Sequence, residues 1–220
     1  MSEVTEVVEE YLEGIYRLQE KSGVARTSDI VKVLQVVPGT VTNTVERLER
    51  EGMLRHEPYR GVKLTGKGRK IALDVIRRHR LSERLLTDFV HVDWDKVHDA
   101  ACKLEHGIKN DVIKKLEKAL GHPKTCPHGN PIPTACGGII EEKSEPLPTL
   151  KSKESGVVAK IKDETPEVLK YIAALGLLPG ASIEIVEKAP FDGPITVKVG
   201  GTNHALSLSM ASNIWVKRKQ

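Results

Sequence analysis

The sequence runs to 220 residues, 39% hydrophobic and 29% charged, with a formal charge of +4 and three cysteines. No apolar run approaches the ~18 to 20 residues of a membrane span, which excludes a helical membrane protein, and an odd cysteine count behind an acidic, amphipathic start reads as reduced thiols or metal ligands in a cytoplasmic protein. The net charge is too small to indicate nucleic acid, but between Arg47 and Arg80 eleven Lys and Arg meet only four acids, and such clustering is the electrostatic footprint of phosphate binding.

The first predicted helix starts at Thr5, a suitable N-cap, carries Val8, Tyr11, Leu12, Ile15, Tyr16 and Leu18 at helical spacing, and stops at Ser22 and Gly23. Ser28 then caps a short helix through Leu34, which Val36, Val37, Pro38 and Gly39 break before a second helix that ends ahead of Gly52. Two short helices across a tight turn are the helix-turn-helix outline. On the second, Val41, Val45 and Leu48 share an inward face, while Thr40, Thr42, Asn43, Thr44, Arg47 and Arg50 supply short hydrogen-bonding groups and arginines suited to a helix lying in the major groove, with Pro38 at its start a further candidate DNA contact. The stretch MLRHEPYRGVKLT follows as a hairpin with residues 58–61 at its tip. This is a wing, and Arg60 and Lys63 are its candidate contacts to the DNA backbone.

A long helix is expected from Lys67 to about Phe89, a second from Asp93 and Trp94 to about Gly107, and a third closing at Gly121. Leu81, Leu85, Leu86 and Phe89, with Val97, Ala101 and Leu104, offer more apolar surface than one helical hairpin covers, which points to a subunit interface. SEPLPTLKSKES (144–155) reads as an interdomain linker. Beyond it GVVAKI, ASIEIV, ITVKV and NIWVKR are short β-branched runs around one helical stretch, PEVLKYIAALG, and predict a small barrel-like β domain. The expected organisation is a winged helix-turn-helix over 1–73, a helical dimerisation and metal-binding domain over 74–143, a linker over 144–155 and the β domain over 156–220.

His79 and Glu83 stand one helical turn apart. His98, Cys102, Glu105 and His106 fall within an arc of roughly 100° on the next helix, a continuous stripe of ligand-type side chains. Imidazole and thiolate together favour Fe(II), Co(II), Ni(II) or Zn(II) over Mg or Ca. Cys102 and His106 do not make a hydrolase, since neither a Gly-rich oxyanion loop nor a third orienting residue accompanies them. CPHGNPIPTAC offers Cys126, His128 and Cys136, short of four ligands and irregularly spaced, so it reads as a turn-rich connector, with a separate Zn site as the alternative.

HRLSERLLTDF (79–89), KVHDAACKLEH (96–106) and GNPIP (129–133) resemble the diphtheria toxin repressor family of iron-dependent regulators, and the similarity runs over nearly the whole chain. The resemblance implies a mainly α protein with a small SH3-like β domain after the winged helix and helical dimerisation domains. It implies a homodimeric repressor, bound to double-stranded operator DNA in the cytoplasm and controlling metal-uptake genes, with no membrane partner. By that pattern His79, Glu83 and His98 form an ancillary metal site, completed from the third domain, where Glu164 and Glu167 are candidates. Cys102, Glu105 and His106 form the primary site with a residue of the first helix. Here the sequence is mixed: the iron branch has Met where this chain has Glu10, whereas the manganese branch has carboxylates matching Glu10 and Glu13 but another in place of Cys102. Fe(II) is the expected ion, Mn(II) the alternative, and Zn(II), Co(II) or Ni(II) surrogates. A protein that only stores or is braced by metal, with a winged helix that does not touch DNA, is the rival of a different class.

Overall fold

The computed structural model describes residues 4–219. It divides into two compact units, one of residues up to 78 together with 133–138, the other of 79–132 together with 139–220.

The first unit contains α1 (Glu6–Ser22), α2 (Thr27–Leu34), α3 (Pro38–Arg50), the hairpin strands β1 (Leu54–Glu57) and β2 (Gly61–Leu64), and the first half of α4 (Gly66–Asp88). Apolar residues spaced three and four apart on each helix meet in its core: Leu12, Ile15, Ile30, Val41, Val45, Leu48, Leu73 and Ile76 are all buried. α1 stops where Gly23 turns left-handed and its N–H donates to the Gln19 carbonyl. α2 begins two residues earlier than the Ser28 cap predicts, behind Arg26 and without a side-chain cap bond. α3 opens on Pro38, whose missing N–H costs nothing in a first turn.

β1 and β2 pair antiparallel, Leu54 opposite Leu64 and Glu57 opposite Gly61. The hairpin is pinned from two sides. Ala25 and Val62 exchange backbone hydrogen bonds at 3.0 and 2.9 Å, and a Cβ on Gly61 would lie 2.2 Å from the Ala25 carbonyl oxygen, so only glycine fits there. From α3, the Glu49 carboxylate accepts from the His56 backbone N–H at 2.8 Å and lies 2.6 Å from the His56 ring nitrogen.

The second unit combines the rest of α4 with α5 (Val97–Glu105), α6 (Asn110–Ala119) and a six-stranded antiparallel sheet. Its strands are β3 (Glu145–Pro146), β4 (Ser155–Ile161), β5 (Ser182–Lys188), β6 (Ile195–Val199), β7 (Thr202–Leu206) and β8 (Ile214–Arg218), in spatial order β3-β8-β4-β5-β6-β7, with α7 (Pro166–Ala174) and α8 (Leu208–Asn213) packed on the same core. Alternate residues Ile183 and Ile185 of β5 and Ile195, Val197 and Val199 of β6 face inward, the period of two that a one-sided sheet requires.

Three expectations need correction. The segment 144–155 is not a free linker: β3 pairs with β8, a short 3-10 turn follows over Leu147–Thr149, and Leu147 and Leu150 are wholly buried in the β core. Two leucines among prolines carry no periodicity, but they are apolar enough to be drawn under the sheet. α5 starts at Val97 rather than at Asp93, and Trp94 packs against the β core while its indole N–H donates to the Pro127 carbonyl at 3.1 Å. Of the apolar residues assigned to a subunit interface, Leu81, Val97 and Ala101 are internal, whereas Phe89 is exposed. Among the described residues no helix is long and apolar enough to cross a membrane.

Candidate metal centre

Helical spacing on α4 places His79 and Glu83 side by side, both buried. Their ring and carboxylate meet at 3.2 Å through His79 Nε2, and the other ring nitrogen, Nδ1, lies 2.6 Å from Glu105 Oε2 at the end of α5. The first turn of α5 brings His98 Nδ1 to 3.1 Å from His79 Nε2, and one turn further Cys102 Sγ sits 3.9 Å from His79 Nδ1 and 3.8 Å from His98 Nε2. One ligand-type atom from each of His79, His98 and Cys102 lies within 4.8 Å of the other two. His106 caps α5 with Nε2 3.3 Å from Glu105 Oε1.

A second cluster adjoins the first on the far side of Glu83. The turn Cys126 to Asn130 closes by two backbone bonds, Cys126 N–H to Asn130 O and Gly129 N–H to Cys126 O, both 2.9 Å. Gly129 has φ 85°, and a Cβ there would lie 2.0 Å from the Ala159 carbonyl oxygen, so the turn packs against β4 only because it has no side chain. The Ile161 N–H donates to the His128 carbonyl at 2.9 Å, and Asn130 Nδ2 donates to the Ile161 carbonyl at 2.9 Å and to Glu164 Oε1 at 2.6 Å. Glu83, Cys126, His128 and Glu164 thereby each present an atom within 4.8 Å of the others.

The protonation chemistry of this arrangement explains what it can hold. Burial opposes charge on His79, but the Cys102 sulfur and the Glu105 and Glu83 carboxylates outweigh it and hold the imidazole well above its ordinary pKa. Burial likewise opposes charge on His98, which Cys102 and Glu83 nevertheless push up to about 9. His128 is pushed up to about 12, against its own burial, by Cys126, Glu164 and Glu83. Glu83, despite burial, is held well below the carboxylate range by His128, His79 and His98. The two thiols differ: Cys102 is lowered, because His79 and His98 override its burial, whereas burial pushes Cys126 up to about 11. The cluster thus demands positive charge.

A direct sign of that demand is His128. Its Nε2 lies 3.0 Å from the Trp94 carbonyl, so Nε2 carries the hydrogen, and its buried Nδ1 makes no hydrogen bond of good geometry although two carboxylates lie at 3.3 and 3.6 Å. Glu83 Oε2 is also buried without a hydrogen-bond partner. Backbone carbonyls that accept from the far ring nitrogen fix metal-binding histidines in this way, and imidazoles, thiols and carboxylates together fit a transition-metal ion.

The structure brings His79, His98 and Cys102 together and places Glu83 with Cys126, His128 and Glu164, while Glu105 adjoins His79 and His106 adjoins Glu105. Cys102 lies with His79 and His98, while Glu83 faces His128. Glu164 joins the second cluster and Glu167 does not, being exposed on α7. In the CPHGN segment Cys126 and His128 converge with Glu83 and Glu164, whereas Cys136 lies on the surface of the first unit. The signal was available in the sequence as two ligand-type residues spaced i, i+2 around a glycine turn. Its partners, Glu83 and Glu164, are too distant in sequence for spacing to join them. In the first unit Glu10 is exposed on α1, and Glu13 accepts two hydrogen bonds from Arg17 at 2.8 and 3.0 Å.

On α3, Pro38, Thr40, Thr42, Asn43, Arg47 and Arg50 are exposed on the face opposite Val41, Val45 and Leu48, and Thr44 is half-buried. Arg60 is exposed at the hairpin tip, while Lys63 is half-buried within 3.9 Å of Glu57.

Comparison with known proteins matches residues 3–62 to the iron dependent repressor N-terminal DNA binding domain, 65–134 to the iron dependent repressor metal binding and dimerisation domain, and 145–218 to the FeoA domain. The chain is 34% identical over 230 residues to the iron-dependent repressor IdeR of Mycobacterium leprae, covering 99% of this chain and all of that protein. It is 39% identical over 209 residues to the diphtheria toxin repressor of Corynebacterium jeikeium, covering 84% and 87% of the two chains. Among solved structures, a manganese-dependent transcriptional repressor in complex with manganese superposes with a TM-score of 0.87 at 31% identity, over 96% of this chain and all of that one. The IdeR of T. acidophilum superposes with a TM-score of 0.81 at 29% identity, over the full length of both.

Proposed function

Since this chain belongs to the iron-dependent repressor family, we propose that it represses transcription in the cytoplasm as a homodimer bound to double-stranded operator DNA, in response to Fe(II). The observation that carries this reading is the pair of adjoining clusters of imidazole, thiol and carboxylate groups in a chain whose α3 presents a polar, arginine-bearing stripe. His79, His98 and Cys102 would hold one ion, with Glu105 and His106 beside them, and Glu83, Cys126, His128 and Glu164 a second. Glu10 of α1 is proposed as the further carboxylate that the sequence resemblance assigns to the activating site.

When bound, a divalent cation supplies the positive charge that protons on His79, His98 and His128 otherwise provide. The chain's own residues do the rest. Asn43 and Thr42 face base edges, Arg47, Arg50 and Arg60 neutralise phosphates, and the hairpin fixes register without reading sequence. A homodimer presents two such helices to two half-sites, so what its control must set is their separation. Phe89 and Val90, exposed at the end of α4, are candidates for the subunit contact.

Mn(II) is the second reading. Three carboxylates, Glu83, Glu105 and Glu164, soften the preference that two thiols impose, and the manganese-dependent repressor superposes closely. Titrating the anaerobic, metal-free protein with Fe(II) and with Mn(II), while following gel-shift of genomic DNA fragments, tests the proposal. Shifted fragments at lower Fe(II) than Mn(II), with binding that weakens steeply as salt rises, are expected. Tight metal binding with no DNA retained at low salt would leave the metal-storage reading instead.

A further inference from the structure

The end of the hairpin carries a residue whose placement costs free energy and serves nothing within the fold. Tyr59 sits between Pro58 and Arg60 with φ 60°, in the left-handed region that a bulky side chain rarely adopts, and its ring is fully exposed. Glycine is the residue a turn uses at such a φ. A polar side chain is what solvent favours at a loop tip. The backbone around Tyr59 is nonetheless firmly held. The Arg60 N–H donates to the Glu57 carbonyl at 3.0 Å, Gly61 and Val62 are fastened to Ala25, the Leu64 N–H donates to Gln19 at 2.8 Å, and His56 is clamped to Glu49 of α3. A rigid base linked to the helix with the reading stripe holds an exposed aromatic ring at its tip, next to an exposed arginine.

We infer that Tyr59 is a DNA-contacting residue: its ring packs on a deoxyribose and its hydroxyl donates to a phosphate where the wing meets the backbone, a non-ionic contact beside the ionic one made by Arg60. The inference rests on the DNA-binding reading above. A strained backbone held by its surroundings is a signature of function rather than of folding, and aromatic side chains bury large area at little entropic cost when they dock. Because sugar and phosphate are the same at every base pair, the contact strengthens binding without choosing sequence.

The test uses the full-length, Mn(II)-loaded protein and a short mixed-sequence DNA duplex, followed by fluorescence anisotropy. Tyr59→Gly relieves the backbone strain, so its thermal stability should equal or exceed that of the parent while its DNA affinity falls about fivefold or more. Tyr59→Ala should lose as much affinity. Neither variant should alter the salt dependence, since no cation is removed, whereas Arg60→Ala should reduce the slope by about one. Nitration with tetranitromethane gives an independent reading: DNA should protect Tyr59 and spare Tyr171, which is partly exposed on α7, while Tyr11 and Tyr16 are buried throughout. Unchanged affinity in both variants, or nitration of Tyr59 unaffected by saturating duplex, overturns the assignment and leaves the repressor reading intact. Failure of the parent protein to bind the duplex at low salt overturns both.

Discussion

His128 Nδ1 lies 3.3 Å from Glu83 Oε1 while the other nitrogen of the same ring is engaged by the Trp94 carbonyl. The carbonyl accepts only from a protonated Nε2, so Nδ1 faces the carboxylate either as a bare lone pair, which is repulsive, or with a cation beside it. A proton satisfies the pair in the metal-free protein. This single relationship couples α4, the turn at Cys126 to Asn130 and the segment leading into α5, three parts of the second unit that share no local sequence signal.

The two thiols should report two separate ion sites. Co(II) added anaerobically is expected to give thiolate-to-metal absorption from both, and Cys102→Ala and Cys126→Ala should each remove part of it. In the metal-free protein, Cys102 is exposed with a lowered pKa and should alkylate rapidly near neutral pH, whereas Cys126, buried and raised to about 11, should resist. Mass-mapped alkylation with and without Mn(II) checks this. Equal reactivity of the two, or no protection of Cys102 by metal, would contradict the assignment. Cys102→Ala should also abolish metal-stimulated operator binding in a gel-shift.

Proton and metal compete for the same atoms, which fixes the sign of the pH dependence. His98 is raised from 6.5 to about 9. A raised histidine contributes stability that is complete below its unfolded pKa and is lost as pH climbs through the folded one. The chelated protein should therefore lose thermal stability between about pH 6.5 and 9, by on the order of 3 kcal/mol at most. Across the same window metal affinity should rise, because fewer protons must be displaced from His98. Thermal unfolding at both ends of the window, in chelator and in excess Mn(II), should show the gap in Tm widening with pH. A gap that narrows would refute the linkage.

The same contrast explains which features were legible in the sequence. The stripe His98, Cys102, Glu105, His106 is read directly because a helix converts spacing into direction. Glu83 with His79 follows by the same rule. How these side chains partition between two clusters was not legible, since it depends on where the Cys126 turn docks against β4, and that is decided by Gly129 meeting the Ala159 carbonyl. The start of the β unit was misplaced for a related reason: Leu147 and Leu150 sit among prolines and lysines, and burial under the sheet overrides a local pattern that reads as tether. The winged helix, built from contiguous local elements, was legible almost to the residue.

On α3 the exposed stripe separates into two kinds of contact with different experimental signatures. Asn43→Ala should weaken binding to the preferred operator by about 1 to 3 kcal/mol and blur the preference at one position, while affinity for arbitrary DNA barely moves. Arg50→Ala should weaken binding to all sequences alike and reduce the salt slope by about one. Competition of labelled operator with unlabelled random DNA over a salt series distinguishes them. If both substitutions behave as Arg50→Ala is expected to, α3 binds the backbone and the reading of bases lies elsewhere.

Gly129→Ala tests whether the second cluster exists as an assembled site rather than as neighbouring side chains. The added methyl would start 2.0 Å from the Ala159 oxygen, at a φ of 85° that alanine resists. The neighbour it meets is backbone of β4 and not a flexible side chain, so the turn has to move. Displacement would carry Cys126 and His128 away from Glu83 and Glu164 without touching any of the four groups. The expected outcome is loss of the Cys126-dependent part of the Co(II) absorption together with a destabilisation of about 2 kcal/mol or more. The part that depends on Cys102 should survive, because His79, His98 and Cys102 are positioned by α4 and α5 alone. Loss of both signals in a protein that remains folded would mean that the two clusters are one centre, with Glu83 and His79 acting as its shared wall.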